Sequence, residues 1–445
     1  MNSRLRTLPT RSIWLAFAIL FLAGSAFSSG PQEKLLYSFQ GPSAPSGQDG
    51  EGPGSLIYDT KGNMYGVTTG GGLCVAGKGE GSYCGTVFEL SPPASGSGPW
   101  AETVIYEFGT NPGDGSNPVG NLVRDKLGNF YGVTQYSSSG ADGNYGCGNV
   151  YELSPPAQSG GAWTETVLYN FQGGNDGCNA AGTLVMDRKG NIFGATIYGG
   201  TLDSAVGPKG YDDGGIFEMS PPASQGGTWA ESFTQAGGVV TFPYGGLTID
   251  EVGTLYGATL SSIFQLIPPT SVGGTWTGRT LYIFHGGEDG SGLGGLNLDS
   301  KGNIYGVTEH GGTADGGTVF ELLPPVQGGS SWTKTVLYSF KGGNDGYLPL
   351  GQMSFDKSGN LYGTTFGGGA ANICTAYQGC GTVFKLTPGT TGWREGILHR
   401  FQGPYTDGSY PGSALLLVGQ KIYGTAQGGT VSPLAYGAVF EIEIN

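Results

Sequence analysis

Residues 62–68 read Gly-Asn-Met-Tyr-Gly-Val-Thr, and this short pattern returns six more times along the chain. Tyr65 marks its centre, and the equivalent aromatic residues follow at intervals of 49 to 66 residues: Tyr131, Phe193, Tyr256, Tyr305, Tyr362 and Tyr423. Self-similarity of this kind indicates a repeat architecture. The chain is therefore predicted to consist of seven copies of one structural unit.

Each unit contains three further short runs rich in β-branched and aromatic residues that alternate with polar ones. In the second unit these runs are Asn121–Asp125, Asn149–Leu153 and Thr166–Phe171. The sequence Asp-x-x-Gly-Asn before the central aromatic residue is typical of a tight hairpin, in which Asp caps the turn and Gly takes a positive φ. A row of aspartates also suggests metal binding, but one Asp per hairpin favours turn chemistry. Each unit is predicted to form four antiparallel strands.

Twenty-eight strands do not form one open sheet, and glycine-rich solenoids use shorter coils without this four-strand subdivision. The sequence therefore predicts an all-β, seven-bladed β-propeller of four-stranded antiparallel blades. The mature chain begins with a fourth-strand pattern and ends with a third-strand pattern at Ile442. We accordingly expect Lys34–Phe39 to pair beside Ala438–Ile442 as the outermost strand of blade 7. One tryptophan per unit is expected to pack between blades: Trp100, Trp163, Trp229, Trp276, Trp332 and Trp393.

Residues 1–28 have the pattern of a secretory signal peptide, in which three arginines precede an apolar run from Ile13 to Leu22 and small residues follow it. The run is shorter than the roughly 20 apolar residues that span a bilayer, although an uncleaved N-terminal anchor is the alternative. Residues 31–445 are predicted to form a single propeller domain. We expect it to be secreted or periplasmic, at the exterior of a bacterial cell.

The chain is strongly acidic and rich in glycine. Its net charge is −14, and it falls to −17 when the three arginines of the signal peptide are removed. An acidic surface argues against nucleic acid and anionic membrane as partners. The 89 glycines, with 12% aromatic residues, suit many short strands joined by tight loops. We expect a monomer that binds no cofactor.

All six cysteines lie in loops that a propeller brings to one face, namely the loops between second and third strands and the loops between blades. Export favours disulfides. The predicted pairs are Cys74–Cys84, Cys147–Cys178 and Cys374–Cys380. Zinc is the alternative, but the pairs lack the Cys-x-x-Cys spacing and no histidine lies near them. No metal is expected.

The residues directly after the second strand differ from blade to blade, as binding residues on a rigid scaffold do. The candidate binding residues are Tyr136, Tyr198, Glu309, His310 and Phe366. Aromatic rings stack on the C–H patches of sugars, and carboxylates accept bonds from hydroxyl groups. These residues predict a binding or interaction module for an extracellular carbohydrate or a protein partner. The alternative is that they only anchor their own glycine-rich loops.

The sequence contains no evident set of catalytic residues. The only histidines are His285, His310 and His399, and no Gly-x-Ser-x-Gly nucleophile elbow lies between a strand and a helix. The second functional hypothesis is a polysaccharide lyase or glycoside hydrolase acting over the channel. Hydrolysis would require two suitably spaced carboxyl groups there.

An Asp-Gly pair recurs in the loops between blades. Calcium binding through oxygen ligands is conceivable, but no 12-residue Asp-x-Asp-x-Asp-Gly loop is present. A role in the turn is therefore favoured for these aspartates: Asp49, Asp114, Asp176, Asp289, Asp345 and Asp407.

The fourth unit departs from the repeat in several ways. Thr254 replaces the asparagine, the Asp-Gly is absent from residues 235–245, and the loop after the second strand has almost vanished. Long loops on blades 1, 2, 3 and 6 are expected to build a wall with a notch at blade 4, where an elongated ligand enters. The alternative is that blade 4 is a degenerate copy of the repeat, which is tolerated because the neighbouring blades stabilise it.

The repeated motif set is clearest at Gly359–Leu386, and it resembles the GloVer repeat of exported bacterial proteins. The resemblance covers essentially the whole mature chain and implies a repeat protein without one established reaction. The Pro-x-Gly-x-Leu sequence at Pro118–Leu122 is similar to the NHL class of propellers, which implies binding of partners.

Overall fold

The structure, a computed structural model, describes residues 33–41, 49–72, 84–111, 113–137, 146–158, 160–200, 213–224, 226–271, 274–326, 329–369, 373–404, 406–429 and 436–444. The predicted signal peptide and Cys74 lie outside these residues, as do most of the long loops after the second strands of blades 1, 2 and 3. Among the described residues, no helix has the length and apolar character to cross a membrane.

The strands group into seven antiparallel sheets, which are the seven predicted blades. Blade 1 contains β2 (Glu51–Pro53), β3 (Ile57–Tyr58), β4 (Met64–Gly70), β5 (Thr86–Ser91) and β6 (Ala101–Glu107). Blade 2 contains β7 (Gly115–Arg124), β8 (Phe130–Ser137), β9 (Asn149–Ser154) and β10 (Thr164–Asn170). Blade 3 contains β11 (Cys178–Met186), β12 (Ile192–Tyr198), β13 (Gly215–Ser220) and β14 (Ala230–Thr234). Blade 4 contains β15 (Leu247–Ile249), β16 (Leu255–Ala258), β17 (Ser262–Ile267) and β18 (Thr277–Ile283).

Blades 5 to 7 complete the ring. Blade 5 contains β19 (Ser291–Leu298), β20 (Ile304–His310), β21 (Thr318–Leu323) and β22 (Thr333–Ser339). Blade 6 contains β23 (Gly346–Pro349), β24 (Ser354–Phe355), β25 (Leu361–Gly368), β26 (Thr382–Thr387) and β27 (Arg394–Arg400). Blade 7 contains β28 (Ser409–Pro411), β29 (Leu416–Val418), β30 (Lys421–Gly428), β31 (Ala438–Glu443) and β1 (Glu33–Ser38). Short 3-10 helices occupy Gly174–Asp176, Ala236–Gly238, Gly287–Asp289 and Thr375–Tyr377.

The ring closes as the repeat phase predicted. Strand β1 pairs with β31 in antiparallel register, with Lys34 opposite Glu441 and Ser38 opposite Ala438. The N-terminal strand is thus the outermost strand of the last blade. In blades 1, 6 and 7 the first strand is split into two short pieces that both pair with the second strand.

The hydrophobic core lies between blades. The described buried side chains form seven clusters, and each cluster joins residues of two neighbouring blades. The cluster that closes the ring packs Leu36 and Phe39 of the N-terminal segment against Met64 and Phe88 of blade 1. Each blade therefore buries its faces only when both neighbours are present.

The glycine of the repeated Tyr-Gly pair is explained by cross-strand packing. A methyl group on Gly66 would lie 2.8 Å from the ring of Phe88 on the paired strand, and one on Gly424 would lie 2.5 Å from Phe440. Only a residue without a side chain leaves room for that fully buried ring beside the second strand. The Gly and the Phe of the repeat are therefore one packing unit.

The predicted packing of the tryptophans between blades is confirmed for five of them. Trp163 of blade 2 stacks on Phe130 of its own blade at 5.0 Å and meets Tyr65 of blade 1 edge-on at 6.4 Å. Other such contacts join Trp100 to Tyr423, Trp229 to Tyr131, Trp276 to Phe193, and Trp393 to Tyr305. The tryptophan of one unit thus packs against the central aromatic residue of the preceding unit.

The predicted Asp-x-x-Gly-Asn hairpins are also confirmed. In the second unit Asp125 accepts the N–H groups of Leu127 and Asn129 through Oδ1, at 2.8 and 2.9 Å. Gly128 has a φ of 94°. The hydroxyl of Tyr131 donates to Oδ2 of Asp125 at 3.2 Å. The Asp therefore holds both the turn and the central aromatic residue.

Candidate functional site

One face of the ring carries the loops between second and third strands and the loops between blades. Two predicted disulfides, Cys147–Cys178 and Cys374–Cys380, are present here, and we call it the disulfide face. The first tethers the end of a blade 2 loop to the start of blade 3, and the second closes a short loop of blade 6. The predicted pair Cys74–Cys84 falls partly outside the described residues.

The five candidate binding residues lie at this face, at the ends of second strands. Tyr136 is at the end of β8 and Tyr198 at the end of β12, and both are partly buried. Glu309 and His310 end β20, where Glu309 is partly buried and His310 is exposed. Phe366 belongs to β25 and is partly buried. The residues thus come from four different blades, and their role in binding stays a prediction.

Phe366 is the centre of an aromatic cluster that spans two blades. Its ring stacks on Tyr410 of blade 7, with centroids 4.9 Å apart and planes 20° apart. It meets Tyr377 edge-on at 5.0 Å, and Tyr377 meets Tyr410 at 5.5 Å. We call Phe366, Tyr377 and Tyr410 the aromatic triad.

The aromatic triad anchors a loop and at the same time leaves one of its rings partly exposed to solvent. Phe366 does hold its own loop, as the alternative interpretation of these residues predicted, because Tyr377 belongs to the loop closed by Cys374–Cys380. Tyr377 nevertheless remains 38% exposed. The backbone of Tyr410 has a φ of 59°, which is costly for a bulky residue and persists only where surrounding structure imposes it.

The sequence pointed to Phe366 but not to its two partners. Tyr410 stands three residues after Asp407, at the position that a glycine, an asparagine or a leucine takes in other units that carry the Asp-Gly pair: Gly52, Asn117, Asn179, Gly292 and Leu348. All of these residues have positive φ. The sequence does contain one signal that could have identified Tyr410: a tyrosine stands at a position where several other units have glycine or asparagine.

A cavity of about 450 Å³ opens beside blades 7 and 1 at the inner strands. Its lining includes Glu51, Thr69, Ser413, Thr425 and Gln427. Burial raises the pKa of Glu51. Among the described residues that line this cavity, Glu51 is the only carboxylate, whereas glycoside hydrolysis needs two.

A larger cavity, of about 1080 Å³, lies between blades 3 and 4 on the opposite face. The first hairpins of both blades line it, together with the connection that leads to Trp276. The indole Nε1 of Trp276 donates to Oε2 of Glu218 at 3.4 Å, and burial raises the pKa of Glu218. The sequence predicted an opening at blade 4 on the disulfide face. There the turn from β16 to β17 is indeed tight, closed by Thr259 N–H donating to Ser262 O at 2.8 Å.

The Asp-Gly aspartates perform the turn role that the sequence favoured. Oδ2 of Asp176 accepts the hydroxyl of Tyr169 at 2.7 Å and the N–H of Gln172 at 2.9 Å. The same two kinds of bond recur at Asp49, Asp114, Asp289 and Asp345, and His399 replaces the tyrosine at Asp407. Each aspartate thus ties the fourth strand of one blade to the loop that enters the next.

A family model described as the Gloeobacter/Verrucomicrobia repeat matches residues 23–262 and 294–445. No curated protein matches the chain in sequence. Similar solved structures include Pseudomonas fluorescens PhoX in complex with vanadate, at 12% identity and a TM-score of 0.43 over 94% of this chain and 95% of that one. Another is the PQQ-bound aldose sugar dehydrogenase of Streptomyces coelicolor, at 10% identity and a TM-score of 0.42. The match covers 93% of this chain and 98% of that one. At such identities the similarity extends to the fold alone.

Proposed function

The chain belongs to the Gloeobacter/Verrucomicrobia repeat family, and we propose that this member is an exported binding protein whose disulfide face takes an extracellular glycan. The observation that carries the proposal is the aromatic triad: three rings from two blades lie in mutual contact, and Tyr377 is 38% exposed. Rings fixed in this way offer stacking surfaces to the C–H faces of sugars.

Preorganisation supports the same proposal. The Cys374–Cys380 disulfide restrains the loop that carries Tyr377, and tertiary contacts hold Tyr410 at positive φ. A ligand that binds rings already in place loses less conformational entropy than one that must order a loop.

Polar groups near the inner strands supply the second element of sugar recognition. Asn117 Nδ2 donates to Gln135 Oε1 at the start of blade 2, and Thr69 and Gln427 line the inner cavity. Neutral amides and hydroxyls bond sugar hydroxyl groups without demanding a charged ligand. The acidic net charge argues against polyanionic ligands.

Export of the chain is part of this proposal. Two disulfides in the described residues suit an oxidising compartment such as the periplasm or the cell exterior. The apolar N-terminal run of the sequence has the features of a signal peptide. An exported binding protein would meet glycans outside the cytoplasm.

The test begins with a glycan array probed with the purified mature chain, residues 31–445. For the best glycan, Tyr377→Ala is expected to weaken binding at least about tenfold, equivalent to about 1.4 kcal/mol, with an unchanged melting temperature. Tyr244→Ala is the matched control, because Tyr244 is 58% exposed and lies outside the triad. Tyr198→Ala and Glu309→Ala test whether the site extends to blades 3 and 5.

Two outcomes would overturn the proposal. One is a glycan that binds equally well to the parent and to Tyr377→Ala. The other is a chain that binds no glycan on the array but captures a protein partner through the same face, which would replace the ligand class.

A further inference from the structure

One histidine and two carboxylates meet where the N-terminal strand closes the ring. Glu33 begins β1, His399 lies in β27 of blade 6, and Asp407 lies in the loop that leads from blade 6 to blade 7. Their ligand atoms, one imidazole nitrogen and one oxygen of each carboxylate, all lie within 4.8 Å of one another. Among the described residues, this is the only such group of three histidine, cysteine, aspartate or glutamate side chains. We call these three residues the closure cluster.

The histidine is particular to this junction. At the five other junctions with an Asp-Gly pair, a tyrosine hydroxyl donates to the aspartate, and these tyrosines are Tyr37, Tyr106, Tyr169, Tyr282 and Tyr338. A neutral phenol is a hydrogen-bond partner for a carboxylate, whereas imidazole is the commonest metal ligand among side chains. The change from tyrosine to His399 therefore turns a hydrogen-bonding position into one that can bind a metal ion.

Hydrogen bonds and packing hold two of the ligands in place. Asp407 is only 6% exposed, and its Oδ1 accepts the N–H groups of Gln402 at 2.7 Å and Gly403 at 3.2 Å. Its Oδ2 lies 2.8 Å from Nε2 of His399. The imidazole ring meets the buried ring of Phe401 edge-on, with centroids 4.8 Å apart. Partners of this kind orient the ligands of a metal site before the ion binds.

The third ligand, Glu33, adds a carboxylate without a positive partner. Its Oε1 is buried and forms no hydrogen bond within the part of the chain that the structure describes. In the same residues, neither Glu33 nor Asp407 forms an ion pair with a lysine or an arginine. Two carboxylates beside a neutral imidazole carry two negative charges, and a divalent cation balances both of them.

We propose that the closure cluster binds one zinc ion through Nε2 of His399 and one carboxylate oxygen each of Asp407 and Glu33. Imidazole nitrogen and carboxylate oxygen are zinc ligands, and three protein ligands occur in zinc sites that keep a fourth position for water. Ligand atoms around a tetrahedral zinc ion lie about 3.3 Å apart, between the 2.8 Å that separates His399 from Asp407 and the 4.8 Å limit of the cluster. Calcium and magnesium favour oxygen ligands only, so the imidazole favours zinc.

The ion joins three segments of the closed ring. Its ligands come from β1, from β27 and from the loop between blades 6 and 7, so it links the N-terminal strand directly to blade 6. The hydrogen bonds of β1 go to β31 in blade 7 and do not make this link. Zinc that binds only the folded chain stabilises it. The proposal replaces the expectation from the sequence that the chain binds no metal.

The experiment measures zinc binding to the mature chain, residues 31–445, without a polyhistidine tag and after removal of metal with EDTA. Mass spectrometry of metals after dialysis should find one zinc ion per chain, and titration calorimetry should give its affinity. The melting temperature should be higher in zinc than in EDTA. Calcium and magnesium should not displace the ion.

His399→Tyr is the central variant, because tyrosine is the residue of the other junctions and can donate to Asp407 as it does there. Loss of a group that only orients a ligand weakens metal binding 10- to 100-fold, so loss of the ligand itself should cost at least about 100-fold in zinc affinity. Glu33→Gln keeps the size of the side chain and should also weaken zinc binding. His285→Ala is the matched control, because His285 is an exposed histidine outside the closure cluster, and this variant should bind zinc like the parent.

Three results would overturn the proposal. The parent chain would bind no zinc if His399 only forms an ion pair with the carboxylates. His399→Tyr would bind zinc as tightly as the parent, or His285→Ala would lose the ion, if zinc binds elsewhere. If His399→Tyr does not fold, Glu33→Gln decides, and an affinity equal to that of the parent would overturn the proposal.

Discussion

A methyl group on Gly381 would lie 2.5 Å from Cδ of Pro411, which belongs to the first strand of the next blade. Beside this contact, the N–H of Tyr410 donates to the carbonyl oxygen of Cys380 at 2.8 Å. The same glycine–proline approach joins Gly85 to Pro118, Gly317 to Pro349 and Gly437 to Pro53. Close backbone contact at the inner strands thus holds neighbouring blades at a fixed distance.

Gly381→Ala is expected to lower the melting temperature strongly. The new methyl group clashes with Pro411, and Gly381 has a φ of 101°, which disfavours alanine. We expect a loss of about 2–5 kcal/mol from the clash and the backbone strain together. The matched control is Gly359→Ala, because Gly359 has a φ of 80° but no atom within 4 Å of the added methyl group. It should lose only about 1–2 kcal/mol. Equal losses in thermal unfolding would contradict the role of the glycine–proline contact.

Phe39→Ala is expected to weaken the closure of the ring. Phe39 is 1% exposed and meets Phe88 of blade 1 edge-on at 5.1 Å. Truncation of such a buried ring costs about 3–5 kcal/mol. Lys34→Ala on the preceding strand β1 is the control, because Lys34 is exposed and its loss should change stability by less than about 0.5 kcal/mol. Deletion of residues 31–40 should lower the melting temperature further, and an unchanged transition would refute closure by this strand.

The two observed disulfides should differ in their contribution to stability. Cys147 and Cys178 are 31 residues apart, whereas Cys374 and Cys380 are 6 apart. In the chain-entropy model these loops correspond to about 3.7 and about 2.2 kcal/mol. Alanine variants of each pair, compared by chemical denaturation, should follow this order. Peptide mapping without reducing agent tests all three predicted pairs, and free thiols would refute them.

The stability of the chain should fall as the pH rises from about 4.5 to about 8. Burial, and next the charge of Asp49, raise the pKa of Glu102 to about 8, and burial is also the largest cause of a pKa of about 7 at Glu33, Glu165, Glu231 and Glu395. The folded chain therefore binds more protons than the unfolded chain in this window, so its free energy of unfolding decreases with pH. The neighbouring titratable and charged groups are Tyr37, Asp49, Asp114, Asp176, Lys341, Asp345, His399, Arg400 and Asp407.

Melting temperatures measured between pH 5 and pH 8 test this dependence. Glu102→Gln should flatten the curve, because it removes the carboxyl group with the largest rise in pKa. Glu288→Gln is the control, because Glu288 is an exposed glutamate that is not one of these five. A parent protein whose melting temperature is constant over this range would show that the five glutamates are not held protonated.

The number of blades, the four strands of each blade and the strand that closes the ring could all be predicted from the sequence. These features depend on local signals, namely turn residues and alternating side chains, and on the phase of a repeat that is counted along the chain. The Asp125 hairpin, the packing of Trp163 and the pairing of β1 with β31 follow from such signals.

Which side chains meet between blades depends on the tertiary structure. Phe366 stacks on Tyr410 because blades 6 and 7 pack against each other, and linear spacing does not encode that approach. The position of the larger cavity, on the face opposite to the predicted notch, likewise depends on how blades 3 and 4 pack. A repeat pattern specifies the unit, whereas a site between units depends on the geometry of the closed ring.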